Sequence, residues 1–152
     1  MPYRKIAFAT DFSQGAALAF KRAKAITQDS GSELILVHIL PPLSQPLPML
    51  NDLALGDVPV QIKERVRAGA LAELENLYCR HCQELEPHRV KTMLLEGEPA
   101  SALAGMAVAE KVDLLVIGST GLSGLAKAMF GSVAAKVVQK APCSVLVVRG
   151  GK

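Results

Sequence analysis

The sequence predicts an open α/β fold, a parallel sheet with helices packed on both faces. Three observations lead there. Five short apolar runs are separated by longer segments of helical period. The runs are almost continuous in hydrophobicity, as strands covered on both sides must be. Runs and helical segments also alternate, which is the pattern of right-handed strand–helix–strand crossovers.

The first run, "KIAFAT" (5–10), predicts a strand that ends in Asp11. A helix follows over about 13–29, with Ala16, Phe20, Ala23 and Thr27 on one side. "ELILVHI" (33–39) is the second strand. The segment 40–59 then breaks the pattern with five of the nine prolines. Proline removes backbone donors and fixes φ, so no regular helix fits there. Loops of such length are either a lid or a tolerated surface insertion.

The second helix is expected over about 60–86, with Ile62, Val66, Ala70, Leu74, Leu77 and Leu85 as its apolar stripe. "VKTMLL" (90–95) is the third strand, and 100–110 the third helix, with Leu103, Ala107 and Val108 apolar. "DLLVIG" (113–118) is the fourth strand. A helix over about 125–140 places Met129, Val133 and Val137 four residues apart and stops before Pro142. "SVLVVR" (144–149) is the last strand. If it lies at a sheet edge, its unpaired backbone invites a second copy and a two-fold dimer. A central position is the alternative.

The bulk properties narrow the function. A chain of 152 residues suits one domain, 1–152, burying roughly 70% of its unfolded surface. A net charge of +3 admits a small anionic ligand. No basic cluster with interleaved aromatics argues for nucleic acid. No run reaches the ~18 apolar residues of a membrane helix. The N-terminus lacks the apolar core of a signal peptide, so a cytoplasmic location is expected. Three cysteines without an export signal do not suggest a disulfide framework.

The candidate site is the stretch "GSTGLSGLAKAMFGS" (118–132). In open parallel sheets, ligands bind beyond the carboxyl ends of the strands. This stretch leaves the fourth strand there. Gly118, Gly121, Gly124 and Gly131 let backbone N–H groups approach an anion with no Cβ in the way. Ser132 and Val133 look like the start of an ordered helical stretch, whose free N–H groups suit a phosphate. Ser119, Thr120, Ser123 and Ser132 offer hydroxyls to a phosphate or a metal ion. The alternative is a plain strand–helix loop. Neither the Walker spacing nor G-x-G-x-x-G is present.

Other residues tempt less. "CRHC" (79–82) lies in mid-helix, where residues three apart do not easily reach disulfide geometry. Zinc needs about four ligands. His81 is expected to face inward and Cys79 outward. Cys143 reads as a small buried hydrophobe. "GLSGL" falls short of the nucleophile elbow, so His38 with Asp11 and a serine makes a weak hydrolase case. Glu96 and Glu98 read as solvated charges.

The spacing G-x2-G-x9-G-S after an apolar strand, closed by "APCSVLVVR", resembles the universal stress protein family, in its nucleotide-binding branch. "KIAFATDFS", "ELILVHI" and "EGEPASAL" are similar to the family's opening, second strand and third strand-to-helix turn. The likeness spans nearly the whole chain. It implies a five-stranded sheet of order 3-2-1-4-5, with the fifth strand at an edge. It implies a homodimer through residues 144–148 acting as a stress-response sensor or switch. It also implies ATP, with Mg2+ or Mn2+, as the bound nucleotide, and slow hydrolysis remains open. Thr10, Asp11 and Ile39 would line the adenosine end. Gly118 and Gly121 would follow the ribose and phosphates, while Gly131, Ser132 and Val133 would hold the phosphate tail. For Asp11 the alternative is a helix N-cap, in competition with Ser13. Lys127 is a phosphate contact or a solvated lysine. A partner-binding module of the same fold that uses no nucleotide is the competing function. An ATP-pyrophosphatase relative fits less well, since Thr10-Asp11-Phe12-Ser13 lacks the glycine pair of that loop.

Overall fold

The computed structural model describes residues 2–42, 59–120 and 130–150. In chain order the elements are β1 (Lys5–Ala9), α1 (Gln14–Ser30), β2 (Glu33–Leu40), α2 (Val60–His81), β3 (Val90–Glu96), α3 (Pro99–Glu110), β4 (Leu114–Gly118), α4 (Ser132–Lys140) and β5 (Ser144–Val148). The five strands form one parallel sheet in the order β3-β2-β1-β4-β5. β1 is central. Its residues Ile6 to Ala9 pair with Leu34 to Val37, while Ile6 to Phe8 also face Leu114 to Val116.

Side chains alternate across a strand, so each strand feeds two cores. Ile6, Phe8, Leu34, Leu36 and Val116 meet α1 and α2 on one face. Ala7, Ile35, Val37, Leu115 and Ile117 meet α3 and α4 on the other. This is why the runs are continuously apolar. Full burial of one such Leu or Ile contributes about 1.5–3 kcal/mol.

The helices follow their stripes. α1 buries Ala16, Phe20, Ala23 and Thr27, as its period requires. Ser13 caps it by accepting from the Ala16 N–H at 3.2 Å, and Gly31 closes it in the left-handed region at φ 65°. α2 buries only Ala70 and Leu74, and Ile62 stays exposed. α2 stops at His81, short of the expected residue 86. Pro87 starts a short 3-10 turn and holds Glu86 in extended backbone, which blocks helical continuation. Cys82 ends the helix buried in the core, and Glu84 turns back to pair with Lys24. α3 buries Leu103 and Ala107, but Val108 faces outward. α4 runs from Ser132, and Phe130 and Gly131 before it are not helical; the expected start near 125 lies outside the described residues. Val137 is buried, Val133 is exposed, and Met129 lies outside the described residues.

Glu98 is no solvated bystander. It caps α3, accepting from Ala100 N–H at 3.2 Å and Ser101 N–H at 2.8 Å. Lys140, at the end of α4, reaches Glu98 at 3.4 Å and the Ser101 hydroxyl at 2.8 Å. The Ser101 hydroxyl, then the two N–H groups and Lys140, hold the Glu98 carboxyl down at about 2. Glu96 likewise pairs with Arg67 at 2.6 Å. A carboxylate whose folded pKa is depressed stabilises above its unfolded value, here 4.5, and loses that contribution as pH falls toward 2. Glu98→Gln is therefore expected to lower Tm at pH 7. Thermal scans should show the difference from the parent shrinking between pH 4.5 and 2. Gly69, mid-α2 with nothing near its missing Cβ, should give the opposite sign. Gly69→Ala is expected to raise stability by about 0.5–1 kcal/mol in denaturant titrations.

Candidate functional site

β1 sits between β2 and β4, and the connections from β1 and β4 leave on opposite faces of the sheet. A crevice must open at their carboxyl ends. The structure has a cavity of about 260 Å3 there. The end of β1 supplies Ala9, Thr10 and Asp11, and β2 supplies Ile39. Gly118, Ser119 and Thr120 come from the end of β4, and Gly131 to Ala134 from the start of α4.

The loop leaving β1 is fixed by short local bonds. Thr10 N–H donates to the Val37 carbonyl at 2.9 Å, extending the ladder. The Thr10 hydroxyl accepts from Phe12 N–H at 2.9 Å, and Asp11 accepts from Ser13 N–H at 3.0 Å. Asp11 thus braces the loop, while Ser13 is the cap itself. His38 Nδ1–H donates to the Thr10 carbonyl at 2.7 Å, which fixes that nitrogen as the protonated one. Its ring lies 4.7 Å from the ring of Phe12, a non-glycine residue at φ 63°.

Gly118 has a packing task as well. A Cβ there would meet the Gly15 backbone at 3.1 Å, so β4 and α1 approach closely only because neither carries a side chain. A Cβ on Gly15 would meet the Thr120 carbonyl at 2.8 Å.

The opposite wall is the start of α4. Gly131 caps it without a side chain, and among the described residues no side chain accepts from its first turn. Ala135 N–H makes the first helical bond, to the Gly131 carbonyl. The N–H groups of Ser132, Val133 and Ala134 belong to the unpaired first turn at the cavity wall. By contrast, α1 and α3 carry side-chain caps at Ser13 and Glu98. A neutral donor array with a positive dipole end is chemistry for an anion.

Thr10, Asp11, Ile39, Gly118, Gly131, Ser132 and Val133 therefore converge on one cavity. Gly121, Ser123, Gly124, Lys127 and residues 43–58 lie outside the described residues. Sequence reading missed Pro99 and Leu103, which reach the cavity from α3, and the role of Gly15. The stretch "EGEPASAL" (96–103), similar to the family's third strand-to-helix turn, contains the first two. Only a close backbone approach could reveal the third.

Cys79 and Cys82 are free, one exposed and one buried. Burial pushes the Cys82 thiol up to about 11, so it stays protonated near neutral pH. His81 rests edge-on against Phe20 at 5.9 Å but is otherwise exposed, only partly as expected. Cys143 is half-buried against the α3–α4 core, and burial raises its pKa too. No helix among the described residues is long and apolar enough to cross a membrane.

Fold and site together define an open parallel α/β protein with a donor-lined cavity at the point where strand order reverses. The model of the universal stress protein family matches residues 2–149. A universal stress protein of Thermus aquaticus is 34% identical over 97% of this chain and 99% of its own. The solved structure of protein MJ0577 of Methanocaldococcus jannaschii is 28% identical, with a TM-score of 0.79 over 100% of this chain and 99% of that one. A universal stress protein solved in complex with cAMP is 26% identical, with a TM-score of 0.62 over 97% and 98% of the two chains. The chain belongs to the universal stress protein family.

Gly15→Ala tests the close approach beneath the cavity. Overpacking of this kind costs about 1–3 kcal/mol. Calorimetry should show a Tm several degrees lower, with circular dichroism unchanged at 25 °C.

Proposed function

We propose that this universal stress protein binds an adenine nucleotide in the cavity between β1, β4 and α4, with ATP as the preferred form. One observation carries the reading. The ends of β1 and β4 and the uncapped first turn of α4 line the same cavity. Asp11 offers acceptors at one end, Ile39 an apolar wall, and Gly131 to Val133 the N–H groups for a phosphate. A relative in complex with cAMP supports the adenine class. A divalent ion, Mg2+ or Mn2+, would arrive with the phosphates. Among the described residues no group of three or more His, Cys, Asp or Glu is placed to hold one. Mg2+ commonly relies on phosphate oxygens and water for most of its ligands.

The functional unit in this reading is a homodimer through β5. Among the described residues that strand is paired only on its β4 side, and Val145 to Val148 are half-buried in one copy. The dimer acts as a nucleotide-dependent switch in the stress response.

Isothermal titration of nucleotide-stripped protein with ATP and Mg2+ is expected to give a Kd on the order of 1 µM or tighter. Gly131→Val puts a side chain where the phosphate would sit, and Ser132→Val removes a hydroxyl beside it. Each is expected to weaken binding by about tenfold or more. Absence of binding by the parent protein overturns the proposal. Val147→Glu places a charge on the edge strand. Sedimentation should give a dimer for the parent and a monomer for the variant, with circular dichroism confirming that the variant is folded.

A further inference from the structure

The two faces of the sheet are covered differently. α3 and α4 pack along each other, whereas α1 and α2 stand apart. They are bridged by the Phe20–His81 ring contact and by Glu84, which reaches Lys24 and Gln28. Between them lies a second cavity of about 200 Å3, separate from the nucleotide cavity.

Its lining is of two kinds. Phe8 and Phe20, with ring centroids 5.4 Å apart, form an apolar floor, and Phe12 and Leu77 form the walls. The rim is polar. Glu73, Asn76 and Arg80 follow one another at spacings of three and four on α2, which places them on one helix face. His81 stands beside Arg80. Among the described residues, no ion pair or hydrogen bond engages the side chains of Glu73, Asn76 or Arg80. A guanidinium with no carboxylate partner among the described residues, bordering a cavity that phenylalanines also line, can receive a planar anion. A single aromatic ring fits within about 200 Å3.

The partition between the two cavities is thin. Thr10 and Ala16 line both. Phe12 walls the second cavity, and its ring lies against His38, which bonds the Thr10 carbonyl and lines the first. Phe12 is also held in the left-handed region, which is unfavourable for a bulky residue. Such strain marks a segment whose neighbours determine its conformation.

We propose that the cleft between α1 and α2 is a second ligand site. It takes a one-ring aromatic carboxylate with a hydroxyl opposite the acid, and its occupancy is transmitted to the first cavity through residues 10–13. The carboxylate meets Arg80 and His81, the ring lies between Phe12 and Leu77 over Phe20, and the hydroxyl donates toward Glu73 or Asn76.

The probe is 4-hydroxybenzoate, titrated into nucleotide-free, 15N-labelled protein and followed by amide shifts. Using no nucleotide keeps the outcome independent of whether ATP binds. Saturable shifts are expected at Ala17, Phe20, Leu77 and His81, with a Kd of about 1 mM or tighter for so small a ligand. They should extend across the partition to His38 and Gly118, which line only the first of the two cavities. Arg80→Gln is expected to weaken binding about tenfold, the scale of a lost charged hydrogen bond. Phe12→Asn, which keeps a residue tolerant of the left-handed region, should weaken it too. Phenol, lacking the carboxylate, should bind parent and Arg80→Gln alike. Three results overturn the site: no saturable shifts, shifts confined to Gly131–Ala134, or equal affinity in Arg80→Gln. Shifts that stop short of His38 and Gly118 overturn the transmission.

Discussion

The backbones of α1 and β4 touch at Gly15 and Gly118, and the site depends on that contact. β1 is the centre of the sheet, so the chain must leave it, turn, and begin α1 directly over the end of β4. With side chains on either residue the helix would ride higher and the crevice would close or shift. Because the approach is so close, the chain has only residues 10–13 in which to turn. That confinement places Phe12 in the left-handed region and commits Thr10, Asp11 and Ser13 to bracing backbone N–H groups.

Much of this was legible in the sequence because it rests on local pattern. Continuous apolar runs identify doubly covered strands, and the Ala16–Phe20–Ala23–Thr27 stripe identifies the buried face of α1. The strand order came from family resemblance rather than periodicity, which cannot rank parallel strands. What escaped was long-range. The early end of α2 reflects Pro87 acting back through Glu86, together with burial of Cys82. Glu98 looked like a surface charge because an N-cap is recognised only once the helix start is known to within a residue. Gly15 carries no sequence signal, since its necessity comes from a strand a hundred residues away. Within the candidate site, residues at strand ends were easy to place. Pro99 and Leu103 were not, because they reach the cavity by the packing of α3.

Family membership and site geometry bear on different questions. Membership accounts for the sheet, the crossovers and the glycine spacing. In the proposed function, the uncapped start of α4 is the part of the cavity that receives the phosphate. α1 and α3 begin with their donors already satisfied, one by a hydroxyl and one by a carboxylate. A carboxylate at the start of α4 would satisfy the same N–H groups and repel an anion, so Gly131 leaves that end of the cavity receptive.

Ser119 and Gly131 hold a further implication. Gly131 N–H donates to the Ser119 carbonyl at 2.7 Å, and Ser119 N–H donates to the Val148 carbonyl at 2.9 Å. The two ends of the intervening stretch are thus tied to each other and to the sheet. The start of α4 thus hangs from the edge strand by two successive backbone bonds. A displacement of β5 would carry Ser119 and Gly131 with it, and both line the cavity. The outer edge of the sheet and one wall of the cavity are in this way mechanically joined.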